Sequence, residues 1–163
     1  MNRRQLLVVA ATVAVGTPVV AFLTAPHGQT PMEDFPFHLT DPQWRARLNP
    51  AQYKVLRDHG TERSFSSPLD HEHRSGEFVC AGCGQRLFSS ATKFDSGTGW
   101  PSFWQPIDGA VATTVDASWL MIRTEVHCSK CGGHLGHVFS DGPPPTGLRY
   151  CMNGVAMQFQ PAA

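Results

Sequence analysis

The sequence predicts a mainly β protein of the α+β class, in which short N-terminal helices pack on antiparallel β-sheets or a barrel. Three observations support this prediction. Charged residues form only 16% of the chain, while 15 glycines and 13 prolines supply frequent turns. Short β-type runs follow one another from Glu77 to Phe159, divided by Gly- and Pro-rich turns. Two C-x-x-C-G-x-x-L motifs lie among these runs and predict a metal site.

The first residues predict a targeting segment rather than part of the folded domain. Arg3-Arg4 precede an uncharged stretch that runs from Leu6 to Ala25. Paired arginines followed by Leu6-Leu7 resemble a twin-arginine export signal. We therefore divide the chain into a signal peptide or N-terminal anchor over residues 1–30 and one domain over residues 31–163. Export predicts a location in the bacterial periplasm or cell envelope. An uncleaved anchor stays open as an alternative, because the stretch is long enough to span a membrane.

Two short helices are predicted at the start of the domain. In "TDPQWRARL", Asp41 is the expected N-cap and Pro42 the first helical residue. In "NPAQYKVLRDHG", Asn49 and Pro50 repeat this arrangement, and Gly60 is expected to end the helix.

Six β-type segments follow the helices: "EFVC", "RLFSS", "GAVATTV", "WLMIRTEVHC", "LRYCMN" and "VAMQF". The 163 residues suit a single domain with its own core, and we expect a monomer. The 13 basic residues are balanced by 13 acidic ones, whereas nucleic-acid binders usually carry a basic surplus. We therefore expect no nucleic-acid partner, and no stable membrane partner unless the N-terminal segment is retained.

The two repeated motifs, "CAGCGQRL" and "CSKCGGHL", predict a structural zinc site. Two residues between thiols let one tight turn direct both sulfurs at one ion, and two such turns complete a tetrahedron. The wide interval between the motifs places them on separate hairpins. One structural Zn²⁺ per chain is therefore expected, with the ligands Cys80, Cys83, Cys128 and Cys131.

Two other readings of these cysteines stay open. An oxidising compartment would permit two disulfides, and a C-x-x-C pair can itself be a redox centre. A structural zinc contributes about 10–16 kcal/mol of apparent binding free energy. A disulfide typically contributes about 2–4 kcal/mol, and less in a short loop. The energetics and the repetition of one motif favour a shared metal.

The fifth cysteine, Cys151, is left over, and its neighbours suggest reactivity. Arg149 lies two residues away, on the same side of a strand, and we expect this cation to lower the pKa of the thiol. "HLGHVF" supplies His134 and His137 directly after the second motif. The residues alone also permit a buried structural cysteine, ordinary histidines and packing aromatic side chains. The loop "SGTGWPSFW" supplies candidate walls for a pocket, namely Trp100, Phe103 and Trp104.

Over residues 38–160, the chain resembles the B-type peptide methionine sulfoxide reductases. The runs that carry the resemblance are "TDPQWRARLNPAQYKVLRDHGTERSF", "CAGCGQRLFSSATKFDSGTGWPSFW" and "CSKCGGHLGHVFSDGPPPTGLRYCMN". The resemblance implies reduction of the R epimer of methionine sulfoxide in oxidised proteins or peptides, supported by a thioredoxin-like or other thiol reductant. It also implies roles for individual residues: Cys151 as nucleophile, His134, His137, Asn153 and Arg149 around it, Trp100 at the substrate's methyl group, and the other four cysteines as zinc ligands.

The sequence departs from a common pattern of this family at Thr98. Many members carry a resolving cysteine at this position of the "SGxGWPSF" loop. A sulfoxide is a poor electrophile until its oxygen is protonated, a task that His134 or His137 suits near neutral pH. Attack by Cys151 would leave a sulfenic acid. We therefore expect a one-cysteine mechanism, in which an external thiol reduces this sulfenic acid.

Two functions from other classes remain open at this stage. A zinc-stabilised β domain can be a non-catalytic binding module, with Trp100 in an aromatic cage. A general thiol–disulfide oxidoreductase would need a C-x-x-C pair that no metal occupies. Turnover of methionine sulfoxide and the zinc content of the chain distinguish these readings.

Overall fold

Antiparallel strands dominate the computed structural model, which describes residues 35–118 and 121–163. The predicted signal or anchor over residues 1–30 lies outside these ranges. Within them, no helix combines the length and the apolar composition needed to cross a bilayer. The helices are α1 (Asp41–Arg47) and α2 (Pro50–Leu56), and the strands are β1 (Gly76–Cys80), β2 (Arg86–Ser89), β3 (Lys93–Phe94), β4 (Ser102–Phe103), β5 (Val111–Asp116), β6 (Arg123–Cys128), β7 (His134–Phe139), β8 (Arg149–Met152) and β9 (Met157–Pro161).

Both predicted helices form, but their ends differ from the expectation. Helix α1 begins one residue early, because Thr40 rather than Asp41 is the N-cap and donates its backbone N–H to the Gln43 side chain at 2.8 Å. Asn49 caps α2 as predicted, accepting from the Gln52 backbone N–H at 2.9 Å. Helix α2 ends at Leu56, four residues before Gly60.

The strands form two antiparallel sheets. The three-stranded sheet has the order β2-β1-β9, and the six-stranded sheet has the order β3-β4-β8-β7-β6-β5. The predicted mainly β architecture with short N-terminal helices is confirmed. Strand β8, which carries Cys151, lies inside the larger sheet between β4 and β7, so its backbone is held on both sides.

An aromatic cluster forms the core where the two sheets pack. Phe103 of β4 stacks on Phe88 of β2 with ring centroids 4.3 Å apart, and meets Phe78 of β1 edge-on at 4.9 Å. All three side chains are fully buried, and so is Met152 of β8. Burial of each such side chain contributes about 1.5–3 kcal/mol, so this cluster fixes the position of β8 relative to the smaller sheet.

Several strands differ from the predicted segments. "HLGHVF" forms β7, and the Gly/Pro-rich loop contains the two-residue strands β3 and β4. "VAMQF" begins as a 3-10 turn over Gly154–Ala156 before β9. The segment predicted from Trp119 becomes a strand at Arg123, while Trp119 and Leu120 lie outside the described residues. Among the missed strands, β4 and β7 both pair with β8, which is distant from β4 in the sequence, and a local pattern does not reveal such pairing.

Candidate active site and metal centre

The four cysteines of the repeated motifs meet where one hairpin of each sheet turns. Cys80 ends β1 and Cys83 lies in the turn to β2. Cys128 ends β6 and Cys131 lies in the turn to β7. All four are buried, and the predicted placement on separate hairpins is therefore observed.

The spacing of these sulfurs fits a metal ion and excludes disulfides. Cys80 Sγ lies 3.8 Å from Cys131 Sγ, and Cys83 Sγ lies 3.6 Å from Cys128 Sγ. All four ligand atoms lie within 4.8 Å of one another, and all four thiols are free. A tetrahedral ion with metal–sulfur bonds of about 2.3 Å needs sulfurs about 3.8 Å apart, whereas a disulfide needs about 2.05 Å. The cluster could therefore hold one metal ion.

A glycine after the second cysteine of each motif makes these turns possible. Gly84 has a φ of 74° and Gly132 has a φ of 66°, both in the left-handed region that glycine adopts without strain. A side chain on Gly132 would also collide with the ring of Phe35.

Cys151 faces a small cavity on the six-stranded sheet. The cavity has a volume of about 140 Å³, enough for the end of one side chain. Cys151 is the one cysteine among its described lining residues. These residues are Thr61, Trp100, Arg123, Gly136, His137, Phe139, Cys151 and Asn153.

A larger groove of about 880 Å³ lies along α2 and β9. No cysteine or histidine is among the described residues that line it. It therefore lacks a sulfur nucleophile, and we place the chemistry in the smaller cavity.

Strand register places His137 beside Cys151. The two residues pair directly across β7 and β8, and opposite residues of an antiparallel pair project from the same face. On its other side, His137 pairs with Glu125 of β6. The imidazole therefore shares one sheet face with the thiol and with a carboxylate.

A β-bulge brings His134 to that same face. Residues three apart in a regular strand project from opposite faces. The register of β6 and β7 shifts after Val126, so that His134 pairs with His127 and Leu135 is the extra residue. As a result the rings of His134 and His137 lie 5.4 Å apart.

Each histidine has its own carboxylate. His137 Nε2 lies 2.8 Å from Asp116 Oδ2, and His134 Nδ1 lies 2.7 Å from Glu125 Oε1. Hydrogen bonds, from Ser118 first and then from His137 and Arg123, hold the pKa of Asp116 well below its usual range. An ionised carboxylate only accepts, so His137 Nε2 carries the hydrogen and Nδ1 is left as the reactive nitrogen.

His134 is deeper than His137 and does not line the cavity. Its side chain is 3% exposed, and its Nε2 is buried with no hydrogen-bond partner among the described residues. His59, in a left-handed conformation with a φ of 51°, also donates to Glu125 Oε1, at 3.0 Å. Burial opposes ionisation of Glu125, but these two imidazoles hold its pKa well below the usual range. The same three side chains could approach a metal ion, yet hydrogen bonds to an ionised carboxylate account for their arrangement.

Burial raises the pKa of the Cys151 thiol above its ordinary value of 9.0. Hydrogen bonds from Thr98 and Ser102 and the charge of Arg149 oppose this effect without cancelling it. Arg149 lowers the pKa of the thiol as expected, but desolvation of the half-buried thiol is larger and sets the net direction. The resting thiol is protonated at neutral pH.

Arg149 acts on the Cys151 thiol by its charge and a hydrogen bond, but it is not among the described residues that line the cavity. Its Nε and Nη2 donate to the two oxygens of Asp141 at 2.9 and 2.8 Å, and its guanidinium lies 4.5 Å over the ring of Phe139. The cation that lines the cavity is Arg123, which the sequence analysis missed. An arginine at the start of a strand, 28 residues before Cys151, gave no signal in the sequence.

Trp100 and Asn153 line the cavity as expected, and both are fixed by the backbone of Glu62. Trp100 Nε1 donates to the Glu62 carbonyl at 3.2 Å, and the Glu62 N–H donates to Asn153 Oδ1 at 2.9 Å. Asn153 Nδ2 donates to the Leu135 carbonyl at 3.0 Å. Phe103, by contrast, is fully buried in the core and does not line the cavity, which corrects the expectation that it contacts substrate.

The chain is similar to a defined protein family and to named enzymes. The SelR domain model matches residues 48–161. Peptide methionine sulfoxide reductase MsrB of Bradyrhizobium diazoefficiens is 55% identical over 137 residues, which cover 83% of this chain and 99% of the relative. The proteins of the same name from Thiobacillus denitrificans and Leptospira interrogans are each 56% identical, over 75% and 74% of this chain and 93% of each relative. The chain therefore belongs to the SelR domain family, the B-type peptide methionine sulfoxide reductases.

Proposed function

We propose that this protein reduces the R epimer of methionine sulfoxide, in oxidised proteins and peptides, through Cys151 alone. One observation carries the proposal. Cys151 is the cysteine that faces the cavity with Trp100 and His137, while the other four lie in a buried cluster with sulfurs 3.6 and 3.8 Å apart. Chemistry that needs a second thiol must then take that thiol from another molecule.

The first step transfers oxygen from substrate to enzyme. The Cys151 sulfur attacks the sulfoxide sulfur and forms an S–S bond. The oxygen then passes to the Cys151 sulfur as the S–O and S–S bonds break, which releases methionine and leaves a sulfenic acid. The methionine sulfur gains two electrons and the cysteine sulfur loses two. The proton of the thiol ends on the sulfenic acid oxygen, so the step needs no further reactant.

His137 carries that proton from the Cys151 thiol to the sulfoxide oxygen. Burial lowers its pKa below the ordinary 6.5, although Asp116 partly opposes this, so the ring is neutral at neutral pH. It accepts the proton of the Cys151 thiol and returns it to the oxygen as charge develops there. Asp116 orients the ring throughout, as a carboxylate does in catalytic triads.

Fixed groups on three sides of the cavity support selection of a single epimer, which we propose is R. Trp100 presents an apolar surface that suits the substrate's S-methyl group, and its ring is held by the Glu62 carbonyl. His137 and Cys151 fix the directions of the oxygen and of attack. Only one epimer places methyl, oxygen and chain correctly at the same time.

An external thiol resets the enzyme. Two thiols convert the Cys151 sulfenic acid to the thiol, forming a disulfide between the external sulfurs and one water. Thr98 occupies the loop position where many family members carry a resolving cysteine, and its Oγ1 lies 3.9 Å from Cys151 Sγ. A thioredoxin-like protein dithiol or another thiol reductant suits this step.

Zinc is the metal that the four-cysteine cluster suits best. Four buried thiolates on two tight turns are the donor set of structural zinc sites, and every coordination position is filled by protein. Cys80, Cys83, Cys128 and Cys131 would hold it and tie the two sheets together. Bound zinc supplies folding free energy and takes no part in catalysis.

Turnover of separated epimers tests the proposal. With dithiothreitol as reductant, wild type should reduce N-acetyl-methionine (R)-sulfoxide and leave the S epimer, and Cys151→Ser should reduce neither. Equal use of both epimers, or activity retained in Cys151→Ser, would contradict it. Absence of all turnover with binding intact would favour a binding module.

We also propose that residues 1–30 direct export, from the pair Arg3-Arg4 and the uncharged stretch after it. An exported enzyme needs a thiol source outside the cytosol. Fusion of residues 1–30 to a reporter that is exported only when folded tests this. Wild type should reach the periplasm and Arg3→Lys/Arg4→Lys should not; equal export of both would contradict a twin-arginine signal.

A further inference from the structure

Among the described residues that line the cavity, Arg123 is the one arginine or lysine. It shares this cavity with Cys151, His137 and Trp100. It starts strand β6, and its side chain is 27% exposed. Its Nη2 donates to Asp116 Oδ2 at 2.6 Å. Its Nε is buried and has no hydrogen-bond partner among the described residues. One fixed donor beside the cavity is therefore left without an acceptor.

A buried N–H without an acceptor is costly, and structures rarely retain one without a reason. Because Nε itself is closed to solvent, a ligand oxygen in the cavity would become its acceptor after a small shift of this partly exposed side chain. The guanidinium is suited to this task because it stays charged and offers donors in a fixed plane.

Asp116 couples this arginine to the proton-carrying histidine. The same oxygen, Asp116 Oδ2, accepts from Arg123 Nη2 and from His137 Nε2 at 2.8 Å. Both groups are thereby oriented by one carboxylate at one side of the cavity. Arg149 is not equivalent, because Asp141 engages its Nε and Nη2.

We infer that Arg123 binds the sulfoxide oxygen of the substrate, an assignment that rests on the proposed function. As the Cys151 sulfur attacks, the S–O bond breaks and negative charge gathers on this oxygen, where a fixed cation stabilises it. The proton that reaches the oxygen comes from Cys151 by way of His137.

Binding to an inactive enzyme tests the assignment directly. In the Cys151→Ser background, NMR titration would compare N-acetyl-methionine (R)-sulfoxide methylamide with the thioether that lacks only the oxygen. Arg123→Met should weaken sulfoxide binding by about tenfold to a hundredfold and leave thioether binding unchanged, the range for a hydrogen bond to a charged group. The exposed Arg63→Met, which removes an arginine outside this cavity, should change neither affinity.

The outcomes are distinguishable from a structural role and from failure of the proposed function. Equal weakening of both ligands by Arg123→Met, or no weakening, would overturn the assignment. If that variant does not fold, Arg123→Lys keeps the charge and lacks the buried Nε–H; an unchanged ratio of the two affinities would then overturn it. Failure of the proposed function would appear instead as absence of methionine sulfoxide turnover by the wild-type enzyme.

Discussion

The hydroxyl of Thr98 lies 3.9 Å from the sulfur of Cys151. It belongs to a short chain of hydroxyl groups, because Ser96 Oγ lies 2.8 Å from both Thr98 Oγ1 and Ser102 Oγ. These groups can donate toward the sulfur when it is a thiolate. They cannot form a disulfide with it, so in the proposed mechanism Cys151 depends on a thiol from another molecule.

Thr98→Cys should therefore convert the enzyme to a two-cysteine mechanism. The new thiol would start near the sulfur of Cys151, in a loop with left-handed glycines at Gly97 and Gly99, and closure to about 2.05 Å would complete a disulfide. After one equivalent of substrate, free-thiol titration and peptide mapping should show this bond. Thr98→Ser is the matched control and should form no such disulfide. Persistence of a sulfenic acid in Thr98→Cys would show that the two positions do not meet.

The pH dependence of the oxygen-transfer step should show a broad plateau. The active enzyme carries one proton on the Cys151–His137 pair. Burial places the pKa of His137 below 6.5 and that of Cys151 above 9.0, so the rate should fall only outside this interval. Single-turnover rates across pH would measure both limbs.

Asp116→Asn should shift the acid limb of that profile to lower pH. The Asp116 carboxylate raises the pKa of His137 against the effect of burial, and its removal lets burial dominate. The maximal rate should also fall, because the ring loses its orienting partner. An acid limb that stays in place or moves to higher pH would contradict the assignment of His137 as the proton carrier.

Removal of the metal should unfold the domain. The cluster would contribute about 10–16 kcal/mol of apparent binding free energy, as much as the whole stability of a typical domain. Elemental analysis should find one zinc per chain, and a strong chelator should abolish the cooperative thermal transition. A metal-free protein with an unchanged Tm would contradict the structural role.

Gly136→Ala should destabilise the protein and displace the nucleophile. A β-carbon on Gly136 would collide with the carbonyl oxygen of Cys151 and press on Met152 Cα at 3.0 Å, both backbone atoms of β8. Such overpacking costs about 1–3 kcal/mol, which denaturant unfolding would measure, and turnover should fall with it. At Gly109 a β-carbon meets no atom within 4 Å, but φ is 69°, so Gly109→Ala strains the backbone alone; it should lower stability and leave turnover unchanged. Wild-type stability in Gly136→Ala would contradict this close contact between β7 and β8.

The sequence allowed prediction of features that depend on neighbouring residues. The Asn49 cap, the glycine turns of the two cysteine motifs and most strand positions follow from local patterns, and so they could be found. Those motifs also predicted that four cysteines would gather, because two tight turns have few other ways to satisfy their sulfurs.

Features that depend on the register between paired strands could not be found in this way. The bulge at Leu135 turns His134 to the face of His137, and only the register of β6 against β7 creates it. The carboxylates of Asp116 and Glu125 looked like ordinary polar residues of exposed strands until that register placed them beside imidazoles. Whether Arg123 or Arg149 lines the cavity likewise depends on the partners of each side chain, not on its distance from Cys151 in the sequence.

The central claim is that Cys151 acts without a second cysteine of the same chain. Wild-type enzyme treated with one equivalent of methionine (R)-sulfoxide, without reductant, would be trapped with dimedone and mapped by mass spectrometry while its zinc is counted. The account predicts a dimedone adduct on Cys151 and one zinc retained per chain. A disulfide between Cys151 and Cys80, Cys83, Cys128 or Cys131, with loss of the metal, would contradict it.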